Sequence, residues 1–148
     1  MQIRDLDIRK DIDLYVKGDI DAFTNSFPGV KLPAEIISEI TASIKAIPNN
    51  EYVHGITACE EFEPIGFVIA ALQMFYIIPY VYIESIYVEP KYRGAGISQK
   101  LLEKAEHWGI ERGAKFLQLH VSEANESAIN SYKKSGYVST RTQMEKII

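Results

Sequence analysis

The apolar rhythm of the chain changes period twice, and the changes mark out its elements. Between Pro33 and Ile47, the residues Ile36, Ile37, Ile40, Ile44 and Ile47 recur at three- and four-residue intervals. That spacing predicts a helix with one apolar stripe, stopped by Pro48-Asn49-Asn50. Ahead of it, Met1 to Leu6 alternates weakly as a first strand, and Ile8 to about Phe23 reads as a helix closed by the Phe27-Pro28-Gly29 turn. The period then shortens. Tyr52 to Cys59 and Ile65 to Phe75 predict two strands joined by the run Glu60-Glu61-Phe62-Glu63-Pro64. A turn at Tyr76 to Tyr80 follows, because Pro79 cannot serve a central ladder, and Val81 to Val88 predicts a third strand.

From Ile97 to Arg112 the helical spacing returns, with Ile97, Leu101, Leu102, Ala105 and Trp108 on one face and Gly113 placed to end it. Phe116 to Val121 alternates as a strand. Glu126 to Ser135 predicts a helix that Asn125 can cap and Gly136 can end, and Tyr137 to Ile148 predicts one or two further strands. A strand–helix–strand–helix order needs a crossover, so a locally parallel sheet joins the antiparallel half. With no repeat or linker, residues 1–148 are expected to form one domain of the α/β (α+β) class.

Composition changes this picture in two places. Residues 1–64 carry 12 acidic and 6 basic residues, whereas residues 85–148 carry 7 acidic and 10 basic ones. An acidic part suits a cationic partner and a basic part suits phosphate, although two ordinary solvated surfaces would look the same. The net charge of -4 and the scatter of the basic residues argue against nucleic acid. The stretch Ile65 to Ile83 is long enough for a membrane span and holds only Gln73 as a strongly polar residue. Gly66, Pro79 and its β-branched and aromatic content favour two paired strands instead, so no membrane partner is expected. Cys59 is the only cysteine, read as a buried strand residue, and no internal disulfide is possible. With charges where a signal peptide needs an apolar core, a cytoplasmic location is expected.

The candidate chemistry centres on Arg93-Gly94-Ala95-Gly96-Ile97-Ser98, between a predicted strand and a predicted helix. Glycines let the backbone approach a ligand, and the free N–H groups of a helix start attract anions, so a pyrophosphate fits there, with Arg93 and Lys100 to neutralise it. A dinucleotide fingerprint would need a third glycine at Gln99, and a triphosphatase loop would need Gly-Lys-Ser/Thr; both are absent. Glycines that only make a turn remain the plain alternative.

This segment resembles the coenzyme A loop of the GCN5-related N-acetyltransferase (GNAT) family, Arg/Gln-x-x-Gly-x-Gly/Ala, with Ser98 in place of the final small residue. Asn125-Glu126-Ser127-Ala128-Ile129-Asn130-Ser131-Tyr132-Lys133-Lys134-Ser135-Gly136-Tyr137 is similar to the family's Asn-x-x-Ala-x-x-x-Tyr-x-x-x-Gly-Phe/Tyr segment. The resemblance covers residues 65–148 well and the first 64 poorly. It implies a mixed, mostly antiparallel sheet of about six or seven strands, splayed in the middle, with helices on both faces. It implies acetyl-CoA as co-substrate and no metal, with Ile86, Tyr87, Val88, Arg93, Gly94, Ala95, Gly96, Ile97, Ser98, Asn125 and Tyr132 in contact with the cofactor. A backbone N–H of Ile86 to Val88 would face the thioester oxygen. The plain alternatives are a helix cap for Asn125 and core packing for Tyr132.

Transfer of an acetyl group to an amine needs a base, an oxyanion donor and an acid for the leaving sulfur. Period-two alternation puts Glu84 on a face with Tyr82, Ile86 and Val88, where apolar surroundings would raise its pKa, and makes it the candidate base. A solvent-facing glutamate is the alternative. His120 is the rival base, and Tyr132 is the candidate acid. The expected function is an N-acetyltransferase acting on a primary amine, with a small cationic acceptor favoured. A protein or peptide N-terminus as acceptor, or a non-catalytic acyl-coenzyme A sensing module, are the alternatives. The apolar run Tyr76-Ile77-Ile78-Pro79-Tyr80 suits a homodimer contact, an acceptor wall or core packing.

Overall fold

The computed structural model describes residues 1–148. Its sheet has five strands in spatial order of sequence: β1 (Gln2–Asp5), β2 (Val53–Glu60), β3 (Glu63–Phe75), β4 (Ile78–Val88) and β5 (Leu117–Gln118). The first four pair antiparallel and β5 joins β4 in parallel, as the crossover through α3 (Ile97–Ile110) requires. The helices α1 (Ile8–Ser26) and α2 (Ala34–Ala46) precede β2, and α4 (Glu126–Lys134) follows β5. No helix is long and apolar enough to cross a membrane.

The alternation along the strands sorts side chains into two cores. Ile56, Ala58, Val68, Ala70, Val81 and Ile83 face α3, where they meet Ile97, Leu101, Leu102, Ala105 and Trp108; Tyr132 of α4 packs on the same side. Phe67, Ile69 and Tyr87 face the other way, against Leu14 and Tyr15 of α1 and Ile44 beside Ile47 at the end of α2. Helices therefore cover both faces. The Asp7 side chain caps α1 by accepting from the Arg9 N–H.

α1 is tied to the sheet near its start and again past its midpoint. Near its start, buried Asp11 takes two hydrogen bonds from Arg4 of β1 at 2.6 and 2.7 Å and one from the Thr57 hydroxyl of β2 at 2.9 Å. Burial alone would raise the Asp11 carboxyl, but these donors, Arg4 foremost, hold it below the ordinary value. Farther along, Lys17 reaches Glu89 at 2.7 Å, Asp19 accepts the Ser85 hydroxyl at 2.6 Å, and Asp21 accepts the Tyr87 hydroxyl at 3.1 Å. Between those bonds Gly18 lets the helix descend onto the sheet. A Cβ there would lie 2.6 Å from the Phe67 ring and 2.9 Å from Tyr87 Cβ.

Three expectations are corrected. The turn between β3 and β4 is Tyr76-Ile77 alone, and Pro79 lies in the ladder opposite Met74. The ladder tolerates it because its backbone faces away from β3: the Pro79 carbonyl accepts the Lys115 N–H at 2.9 Å, so the missing donor would have pointed to that side. The tip is also exposed rather than core, Tyr76 and Ile77 being 87% and 88% exposed. Second, the strand foreseen over 116–121 pairs only at Leu117 and Gln118. Its alternation reflects packing, with Leu117 and Leu119 on the first core and Phe116 stacked on Tyr80 at 4.8 Å. Third, residues 137–148 form no strand, so the sheet has five strands rather than six or seven.

Candidate functional site

β4 is two different strands end to end. Its first part is held on both edges: β3 pairs along one side, while Val81 and Tyr82 pair with Leu117 and Gln118 on the other. Past Tyr82 no strand covers the outer edge. The boundary carries a β-bulge, because Ile69 faces Ser85 and Ala70 faces Ile83, leaving Glu84 as the extra residue. This opening is the splay foreseen beside β4.

The bulge also corrects the placement of Glu84. An unbroken period of two would group it with Ile86 and Val88, but those side chains pack on the α3 side. Glu84 instead lines a cavity of about 280 Å³ under α1 and α2, with Asp19, Ser43, Ile44, Ile47, Asn50, Val53, Ile69 and Ser85. The extra residue shifts the alternation, so Glu84 shares its side of the sheet with Ser85 and not with Ile86 and Val88. Although Glu84 as a residue is exposed, partial burial of its carboxyl against this cavity, and then the charge of Asp19, push its pKa up. Burial pushes Asp19 up as well, with the Ser85 hydroxyl pulling the other way.

Beyond the bulge, the backbone of Ile86 and Val88 points at the open edge. The Val88 carbonyl accepts Arg93 Nε at 2.8 Å from outside the sheet, while Tyr87 turns its carbonyl toward Gly66 of β3. The two-residue repeat then aims the Ile86 N–H and C=O outward too. Arg93 therefore folds back over the edge, its guanidinium 5.7 Å from the Tyr87 ring centre.

The edge leads to the start of α3. Gly94 and Gly96 have φ of +83° and +75°, and a Cβ on either would meet nothing within 4 Å. The left-handed backbone explains why glycine stands at both positions, and the space around them is an open cradle. Gly96 is the N-cap and offers no side-chain bond, so the first N–H groups of the helix, from Ile97 through Gln99, lack intrahelical acceptors. That is the donor set an anionic diphosphate needs, and Ser98 adds a hydroxyl in the first turn. The coenzyme A reading of Arg93, Gly94, Ala95, Gly96, Ile97 and Ser98 thus fits the residues present.

Three expected participants are placed less directly. Asn125 caps α4, its Oδ1 accepting the Ala128 N–H at 3.2 Å, so the plain role is realised and its Nδ2 is the group left to a ligand. Tyr132 packs against the first core with its ring 5.8 Å from Tyr137, and burial raises its pKa. His120 is exposed, and its Nδ1 shares a 2.8 Å hydrogen bond with the Tyr82 hydroxyl just beyond the last β4–β5 pair. That bond ties the two strands where they part. Asp19 and Ser85 went unforeseen: they stand 66 residues apart, and nothing in either local pattern signals the other. No group of three or more His, Cys, Asp or Glu side chains is arranged to hold a metal ion.

Known proteins share this fold. Over 56 residues the chain is 39% identical to the thialysine N-epsilon-acetyltransferase of Bos taurus, a match spanning 38% of this chain and 33% of that relative. The similarity thus extends over about a third of the length of the curated relatives. An aminoglycoside N-acetyltransferase solved in complex with CoA superposes with a TM-score of 0.78 at 17% identity, covering 99% of this chain and 98% of that one. A predicted acetyltransferase of Clostridium acetobutylicum solved with acetyl-CoA gives a TM-score of 0.78 at 24% identity over 99% and 95% of the two chains. At these identities the structural likeness is one of fold. The model of the acetyltransferase (GNAT) family matches residues 20–137, from the last turns of α1 through the Gly136-Tyr137 end of the second motif. With most of the chain matched and both motifs inside the match, the protein belongs to the acetyltransferase (GNAT) family.

Proposed function

We propose that the protein transfers an acetyl group from acetyl-CoA to the primary amine of a small acceptor. The observation that carries this reading is the continuity of three features: the uncapped, glycine-cradled start of α3, the open outer edge of β4, and a cavity with a carboxylate at the bulge. The residues from Arg93 to Ser98 would hold the diphosphate, the Ile86–Val88 backbone the pantetheine amides, and Asn125 Nδ2 a further carbonyl. Acetyl-CoA, when bound, supplies an acetyl group activated as a thioester.

The chain's own residues supply the rest. Glu84, its pKa raised, takes a proton from the acceptor ammonium and passes it to water. An outward N–H of the β4 edge meets the negative charge that grows on the carbonyl oxygen. Tyr132 gives a proton to the leaving sulfur and is restored by the second proton of the acylated nitrogen. The C–S bond breaks as the C–N bond forms, and one net proton is released. His120, bonded to Tyr82, sits at the strand divergence rather than in the cavity, which favours Glu84 as base.

The cavity volume bears on the acceptor. About 280 Å³ falls just below the roughly 300–1,000 Å³ of pockets that enclose drug-sized ligands, so a short amine suits it better than a large one or a peptide chain. A thiol-release assay with acetyl-CoA against a panel of amines and peptides, paired with titration calorimetry of coenzyme A, tests the reading. Turnover with small amines is expected. Coenzyme A binding with no turnover on any acceptor would point to a sensing module instead.

A further inference from the structure

The cavity under α1 and α2 contains two carboxylates, and the proposed reaction uses one of them. Asp19 makes a single side-chain hydrogen bond, from the Ser85 hydroxyl to its Oδ1 at 2.6 Å. No lysine, arginine or histidine nitrogen lies within 4.0 Å of Asp19 or of Glu84. Asp13 and Asp21 of α1 also have no cation within that distance, but neither lines the cavity. On the same helix Asp11 is matched by Arg4, Asp7 at the cap by Arg9 and Lys10, and Lys17 crosses to Glu89 without serving Asp19.

A half-buried carboxylate without a cation is an electrostatic cost that folding has not removed here. Ile44, Ala46, Ile47, Val53 and Ile69 give the cavity apolar wall surface, interrupted by Ser43 and Asn50. An apolar wall fits methylene groups and a lone carboxylate fits an ammonium. The amine that attacks must be neutral, so the group that answers Asp19 is a second, remote charge on the same acceptor.

Building on the acetyl-transfer reading above, we infer that Asp19 is a specificity-determining residue that selects a short dicationic amine. Its carboxylate holds the ammonium that does not react while the other nitrogen loses its proton at Glu84. The acceptor class is therefore a compact diamine, or an amino compound carrying a second ammonium a few carbons away.

The test compares a short diamine with the monoamine of equal length as acceptors. For the wild-type protein kcat/KM for the diamine should exceed that for the monoamine by about tenfold or more, the difference lying in KM. Asp19→Asn, which retains an acceptor for the Ser85 hydroxyl, should bring the ratio to about one, and Asp19→Glu should restore part of it. Ser85→Ala removes the structural bond but leaves the charge, so it should keep the preference. A wild-type protein that shows no preference, or an Asp19→Asn variant that retains it, overturns the inference while leaving acetyl transfer intact. If no amine is acetylated, the transfer reading fails by itself, and calorimetric titration of the diamine into coenzyme A-loaded protein still decides the role of Asp19. Binding weakened about tenfold in Asp19→Asn supports the inference, and equal binding overturns it.

Discussion

The two parts of β4 show how one strand serves two purposes. From Ile78 to Tyr82 it is laddered to β3 on one edge and, at Val81 and Tyr82, to β5 on the other, and Val81 is sealed into the core at 0% exposed. From Glu84 to Val88 it is laddered on one edge only, and it is surrounded by Asp19, Arg93 and the start of α3. The same backbone that closes a hydrogen-bond network in the first part leaves it open in the second. A one-residue bulge separates them and turns the only acid of the strand out of the alternation.

Damage on the two sides should be read by different measurements. The largest effect is expected from Glu84→Gln, which should lower kcat/KM by on the order of 10²-fold near neutral pH with coenzyme A affinity and stability unchanged. The acid limb of the wild-type pH profile gives the sign. As the proposed base, Glu84 must be ionised, and burial followed by the Asp19 charge raises its pKa. Activity should therefore fall with decreasing pH above the ordinary glutamate range, and Asp19→Asn should move that limb to lower pH. A limb that does not move would remove the coupling between these carboxylates.

On the closed side, Val81→Ala removes two buried methyl groups and should cost about 2 kcal/mol of stability in denaturant titrations, with kcat of the folded protein retained. Loss of kcat with unchanged stability would erase the division. Gly96→Ala should weaken coenzyme A binding by about tenfold, since a φ of +75° costs an alanine roughly 1–2 kcal/mol and its Cβ enters the open cradle. Tyr82→Phe stands at the border and is the mildest. It deletes the bond to His120 at a cost of about 1 kcal/mol or less, with kcat/KM changing less than about threefold. A tenfold loss there would place the Tyr82–His120 pair in the reaction.

The sequence reading reached some parts of this molecule and missed others for physical reasons. The helices were legible because burial of one stripe imposes its period: Ile36, Ile40, Ile44 and Ile47 announce α2, and Leu101, Ala105 and Trp108 announce α3. The glycine loop was legible because two left-handed residues ahead of a helix leave few alternatives to glycine. The bulge was not, since alternation assumes equal steps, and it placed Glu84 with Ile86 and Val88. Nor was the shortness of β5, because Leu117 and Leu119 alternate inward whether or not the backbone finds a partner. Asp19 was out of reach for a third reason. Its importance depends on Ser85 and Glu84, which only the docking of α1 brings near.

Gly18 sets how deep that docking goes. A methyl group there would press on Phe67 and Tyr87 and lever the helix off the sheet, at a cost of about 1–3 kcal/mol. The roof of the cavity proposed for the acceptor would rise, whereas the floor along β4 and the start of α3 would stay where they are. On the proposed reading, a single position on α1 would retune acceptor size without touching the residues proposed to hold the acyl donor.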